Sequence, residues 1–268
     1  MDKYIINGQI GEGAQGIVLK AHDSSRDQEV ALKKILIKKI EGGLPTSIIR
    51  EVKSLQQLKH PYVVELLDAF PNGLDFIMVF EYMPTGLWEV LRDFEISLTL
   101  AQIKTYMKML LEGIAYVHGK NIMHRQMYVI RIFYNVKEFH IGETDIEQLA
   151  IVLKYLGSPT SESWPELTSL PDYNKITFPY HKSTSWENII QDAQPEAIDL
   201  IRQILIYNSS KRLTAEQALC HTYFYSKPYP SMKTLIKPPS DHRLRVKSKE
   251  INPNVQPSTL FENLLSIV

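Results

Sequence analysis

Gly11-Glu12-Gly13-Ala14-Gln15-Gly16-Ile17-Val18-Leu19-Lys20-Ala21 decides how the first third of the chain folds. Three glycines precede an apolar, β-branched run. In a dinucleotide-binding turn such glycines lead straight into a helix. Here they lead into residues that favour a strand. The stretch therefore reads as a glycine hairpin joining strands Tyr4–Ile10 and Ile17–Ala21, with backbone that can cover phosphates; an ordinary tight hairpin would use the same glycines. Outward from it, Glu29–Leu36 is a third strand. Pro45 then opens a helix with Ile48, Val52 and Leu55 on one face. Val63–Phe70 and Asp75–Phe80 complete a small lobe of five strands and one helix.

After Met83-Pro84 the period becomes helical. Thr99 and Gln102 have capping-box spacing, followed by Ile103, Tyr106, Met107, Leu110, Ile114 and Val117 on one stripe as far as Gly119. Thr144 and Glu147 open a second helix carrying Leu149, Val152, Leu153 and Leu156, stopped by Gly157 and Pro159. Pro195–Ile206 and Thr214–Cys220 fit further helices. Met127–Ile141 is β-branched and aromatic, and it sits between two helical blocks. Residues 227–268 hold six of the fifteen prolines and seven Lys/Arg against three Asp/Glu. They read as an extended linker, with Phe261, Leu264, Leu265 and Val268 as candidates for one docked turn. The expected organisation is 4–83, 84–226 and 227–268.

The 268 residues include 30 Lys+Arg and 30 Asp+Glu, so the total charge argues against a nucleic-acid partner. The single cysteine, Cys220, excludes an internal disulfide and a thiolate metal cluster, which fits a reducing compartment. No apolar run exceeds five residues, so no membrane span is expected, and Met1-Asp2-Lys3-Tyr4 has no signal-peptide profile. The expectation is a soluble protein of the nucleus or cytoplasm.

Val30-Ala31-Leu32-Lys33-Lys34 occupies the third strand, and a lone strand lysine usually faces solvent; Lys34 is read so. Glu51 changes the reading of Lys33. Three residues after Ile48 and four before Leu55, its carboxylate falls at the buried edge of the helix. A buried carboxylate needs a cation, and Lys33 is the natural one. With the glycine hairpin and the run Phe76–Phe80 into Glu81-Tyr82-Met83, the chain resembles a eukaryotic protein kinase. Pro45-Thr46-Ser47-Ile48-Ile49-Arg50-Glu51 resembles the PSTAIRE-type helix of cyclin-dependent kinases. Asp145–Leu149, Leu156-Gly157-Ser158-Pro159, Trp164–Leu167, Leu170–Ile176 and Lys211-Arg212-Leu213-Thr214-Ala215 are similar to later motifs of that family, nearest its cell-cycle-related branch. The similarity runs over about 4–126 and 142–226.

The resemblance implies an α+β, bilobal protein-kinase-like fold with a β-rich N-lobe and a mainly α C-lobe. It implies that Ile10, Gly11, Glu12, Gly13, Gly16 and Val18 cover ATP, that Ala31 lines the adenine pocket and that Phe80 closes its back. Glu81 and Met83 would pair with adenine through their backbones, Lys33 would hold phosphates, and Glu51 would position Lys33. Pro45–Leu58 would face a cyclin, and protein substrates would follow in the intact family. The glycine-loop positions that often carry inhibitory phosphate are Ala14 and Gln15, so that control is expected to be absent.

The pattern then breaks. His124-Arg125 approaches the family's His-Arg-Asp motif, but Gln126 follows where the catalytic aspartate belongs. The asparagine and Asp-Phe-Gly ligands of Mg²⁺, the activation segment and Ala-Pro-Glu do not follow, so the C-lobe is expected to be truncated internally. Asp93-Phe94-Glu95 lies on the wrong side of His124 and reads as a surface loop. Asn135 lacks the motif that would make it a metal ligand. Arg212, which the family pairs with the Ala-Pro-Glu glutamate, is expected to lack that partner. Three readings follow: a Ser/Thr kinase chain that has lost its catalytic centre, a non-catalytic module that keeps weak ATP binding and a cyclin-facing helix, or a splice or gene-model product that does not fold fully.

Overall fold

The computed structural model describes residues 1–13, 16–37, 44–87, 90, 97–123, 145–170, 173, 175, 179–190 and 193–231. The readings placed on Ala14, Gln15, Asp93–Glu95, His124–Ile141, Thr144 and the segment beyond Ser231 lie outside the described residues. Two compact units are present, the first formed mainly by residues 1–90 and the second mainly by residues 91–119 and 123–236.

In the first unit, β1 (Tyr4–Gly13), β2 (Gly16–Asp23), β3 (Gln28–Leu36), β4 (Leu66–Asn72) and β5 (Asp75–Glu81) form one antiparallel sheet. Its order is β1-β2-β3-β5-β4. The alternation of each strand sorts side chains onto two faces. On one, Tyr4, Leu19, Ala21, Val30, Leu32, Ile77 and Val79 pack together. On the other, Phe76 and Met78 pack beneath Ile48 and Val52 of α1 (Thr46–Gln56), with Phe80 partly buried beside them. Pro45 sits just before that helix, where its missing N–H costs nothing. Five strands and one helix were legible. The fourth strand starts at Leu66 rather than Val63, because Val63 makes only an isolated bridge to His60.

The second unit is helical where described. α2 (Leu100–Gly119) opens with the expected box: Thr99 N–H donates to Gln102 Oε1 at 2.8 Å, and Gln102 N–H donates back to Thr99 Oγ1 at 3.3 Å. Ile103, Met107 and Val117 are buried as expected, but so are Leu111, Lys104 and Thr105. The reason is a second packing partner. The segment from the turn Thr222–Phe224 to Ser231 returns onto α2: Lys104 Nζ donates to the Ser226 carbonyl at 2.8 Å, and Ser231 N–H to Thr105 Oγ1 at 2.8 Å. Burial pushes the Lys104 ammonium below its ordinary pKa, opposed by Glu196.

α3 (Asp145–Leu156) ends at Gly157, whose φ of 81° favours glycine and where a Cβ would lie 2.7 Å from the Ser183 nitrogen. The Tyr207 hydroxyl donates to the Gly157 carbonyl, and burial pushes that phenol up to about 12. Leu153 is buried, but Leu149, placed on the same apolar stripe by its spacing, is 42% exposed. α4 (Trp186–Ile189), α5 (Pro195–Ile204) and α6 (Ala215–Leu219) follow. α5 stops at Ile204, two residues before its expected end, and α6 starts from a full capping box between Thr214 and Gln217. Cys220 is free and exposed. Among the described residues no helix is long and apolar enough to cross a membrane.

Candidate nucleotide site

The strand register brings four of the candidate residues onto one face of the sheet. Gly11 pairs with Val18, and Gly13 with Gly16, so the hairpin closes through residues 14–15 alone. Val18 pairs with Lys33, Ala31 with Phe80 and Lys33 with Met78. Paired residues of an antiparallel ladder share a face, as do residues two apart on a strand. Val18, Ala31, Lys33 and Phe80 therefore lie on the α1 side, and all four are only partly buried. Gly16 is sterically required. A Cβ there would lie 2.0 Å from the Lys34 carbonyl oxygen, and φ is 135°.

Lys33 Nζ lies 2.7 Å from Glu51 Oε1, the pair foreseen from the helix spacing. Glu51 is less buried than its helical spacing implies. The Glu51 side chain is 36% exposed and that of Lys33 is 21% exposed, because Glu51 stands on the flank of α1 rather than beneath it. Burial alone does not oblige the pair to form. Lys34 also differs from its solvent-facing reading. Its Nζ lies 2.7 Å from Asp75 Oδ2, and the two side chains are 23% and 13% exposed.

At the end of β5 the Glu81 N–H donates to the Glu65 carbonyl at 3.2 Å, and Glu81 Oε1 accepts from the Glu65 N–H at 2.9 Å. Of its main-chain groups, the carbonyl is what Glu81 could offer a purine. Met83, 38% exposed, follows in non-strand backbone. Sequence reasoning missed Lys20, whose Nζ sits 4.5 Å above the Tyr82 ring and 2.8 Å from Glu29 Oε2. It also missed Gln9, buried in β1 just ahead of the hairpin. The first arrangement had a readable signal, since Lys20 and Ala31 are cross-strand partners and Glu29 is two residues back.

The residue types present are those a nucleoside triphosphate would need: a small residue, Ala31, is paired with Phe80, and Lys33 offers a cation. They do not make a metal site. Among the described residues no group of three His, Cys, Asp or Glu could hold a cation. Arg212 donates through Nε and Nη2 to the Ile206 carbonyl at 3.1 and 2.7 Å, so main-chain oxygen occupies the guanidinium that the family gives to a glutamate.

A twisted five-stranded sheet with a glycine hairpin and a strand lysine joined to a helix glutamate is the N-lobe of a protein kinase. Comparison with known proteins places the chain further. The profile of the family described as Protein kinase domain matches residues 4–146. Cyclin-dependent kinase 20 of Danio rerio is 37% identical over 295 residues, covering 86% of each chain. That of Pongo abelii is 34% identical, covering 94% of this chain and 91% of its own. Cyclin-dependent kinase D-1 of Arabidopsis thaliana is 30% identical over 86% of this chain and 73% of its own. The chain belongs to the protein kinase family, within its cyclin-dependent kinases. The 295 aligned positions take up 86% of a 268-residue chain, roughly 230 residues, so roughly 65 positions of the zebrafish relative face no residue here.

Proposed function

We propose that this chain binds ATP in the manner of the cyclin-dependent kinases and does not transfer its phosphate. The observation that carries the reading is Gln126, which stands where the related kinases place the aspartate that orients the substrate hydroxyl and accepts its proton. An amide has no basicity to use at neutral pH. The connection between α2 and α3, residues 120–144, supports it, as does the number of positions in the relatives that have no counterpart here. The catalytic loop, both Mg²⁺ ligands and the activation segment would have to come from that connection, and beyond His124-Arg125 its sequence contains none of their motifs.

What remains is the holding half of the site. Lys33 would take the phosphates, steadied by Glu51, the hairpin Ile10–Gly16 with Val18 would cover them, and Ala31, Phe80, Glu81 and Met83 would receive the base. Affinity should be lower than in an intact kinase and little raised by Mg²⁺. A cyclin remains the partner of choice for Pro45–Leu58, where the exposed Arg50 and half-buried Ile49 offer a charge and an apolar anchor. The test is transfer of radiolabelled phosphate from ATP to a Ser/Thr peptide with Mg²⁺, wild type beside Lys33→Met. Both should stay at background. Transfer by the wild type that Lys33→Met abolishes would refute the reading.

A further inference from the structure

Five polar side chains among the described residues are buried: Gln9, Asp23, Lys104, Thr105 and Asn208. Four have a local structural task. Asp23 and Asn208 each accept from a serine two residues on, and Lys104 and Thr105 fasten the returning segment to α2. Gln9 differs because, although it lies on the face opposite α1, it adjoins the glycine hairpin in β1. It pairs with Leu19, and the next pair along the ladder is Gly11 with Val18, so Ile10 is an extra residue, a bulge. A bulge bends its strand and re-aims the side chain it carries. Gln9 Nε2 spans this bulge: it donates to Glu12 Oε2 at 3.2 Å and, at the limit of hydrogen bonding, to the Gly11 carbonyl at 3.5 Å.

We propose that Gln9 is a positioning residue for nucleotide binding: its amide fixes the Ile10 bulge and ties the Glu12 carboxylate back along β1. The inference rests on the nucleotide reading above. Two consequences follow when the amide is lost. Ile10 and the hairpin are then ordered by the strand ladder alone, which the bulge has already interrupted. The Glu12 carboxylate is also released on a hairpin that must lie against phosphates, where like charge repels.

The experiment measures ATP binding and backbone amide exchange on the full chain. Gln9→Leu keeps the volume of a side chain only 8% exposed and removes both donors, whereas Gln9→Arg keeps donors within reach of Glu12. Gln9→Leu should weaken ATP binding about three- to tenfold, the equivalent of one hydrogen bond of ordinary net strength. It should also speed exchange at residues 10–13 while Leu32 and Val79 keep their wild-type rates. Gln9→Arg should restore most of the affinity, and in a Glu12→Gln background the loss caused by Gln9→Leu should shrink. Unchanged ATP affinity in Gln9→Leu, or equal losses in the Leu and Arg variants, would overturn the role of Gln9. Absence of ATP binding by the wild type would instead overturn the nucleotide reading itself, and with it this use of Gln9.

Discussion

Replacing Lys33 by methionine keeps the side chain's length and removes its charge, which separates two tasks the lysine could have. One is structural. The ammonium lies 2.7 Å from Glu51 Oε1, but with 21% and 36% of the two side chains exposed the pair is wet. Exposed pairs contribute about 0–1 kcal/mol, and in the variant Glu51 can rehydrate, so the fold should lose no more than about 1 kcal/mol. The other task is to hold phosphate. A hydrogen bond to a charged group contributes about 1.5–3 kcal/mol, which corresponds to about a 10- to 150-fold loss of affinity. Calorimetric titration with ATP and with adenosine, beside thermal unfolding, separates the two. ATP should bind that much more weakly to Lys33→Met, whereas adenosine, which carries no phosphate, should bind as before. Unchanged ATP affinity would refute the assignment of Lys33 to phosphates. Equal weakening of adenosine would show that the sheet had been disturbed instead. A stability loss above about 3 kcal/mol would contradict the wet pair.

Gly16→Ala should destabilise the first unit by about 3 kcal/mol or more, since overpacking against a backbone oxygen adds to an unfavourable φ; a urea midpoint for the sheet equal to wild type would count against it. The Ser25 hydroxyl holds the Asp23 carboxyl below the usual carboxylate range, with the Ser25 N–H and Arg26 assisting against burial. A depressed folded pKa means stabilisation that is present above the unfolded value, near 4, and is lost as pH falls through the folded one. Asp23→Asn should therefore cost most near neutrality, and the gap in melting temperature should close in acid. Amides of 145–225 should exchange faster than those of 4–80, measured on the intact chain; uniformly slow exchange would show that the second unit has a complete core.

The first lobe was legible because each strand and α1 carry their own period, so local sequence and final packing agree. What escaped was contact made across the register. Lys34 pairs with Ile77 and Leu36 with Asp75, which makes Lys34 and Asp75 diagonal neighbours. That partner becomes visible only once the alignment of β3 on β5 is fixed. Lys104 and Thr105 escaped for the same reason at longer range: the chain that buries them arrives more than a hundred residues later. Glu51 shows the reverse error. Its helical phase was right, yet phase gives direction and not depth, and the side chain stays one-third exposed. The burial of Gln9 was not legible either, because it sits beside a bulge that appears only in the register of β1 on β2.

Every member of the two apolar clusters that sandwich the sheet lies between Met1 and Phe80. Among the described residues, the packing around the Lys33–Glu51 pair therefore draws on nothing beyond Phe80. The second unit has no such independence. α3 is fastened at its C-terminal end, where Thr184 N–H donates to the Tyr155 carbonyl and Tyr207 to Gly157, but Leu149 near its start stays 42% exposed. Full burial of one large apolar side chain contributes about 1.5–3 kcal/mol, and domains are stable by only about 5–15 kcal/mol. A few such uncovered positions are enough to make a helical unit marginal.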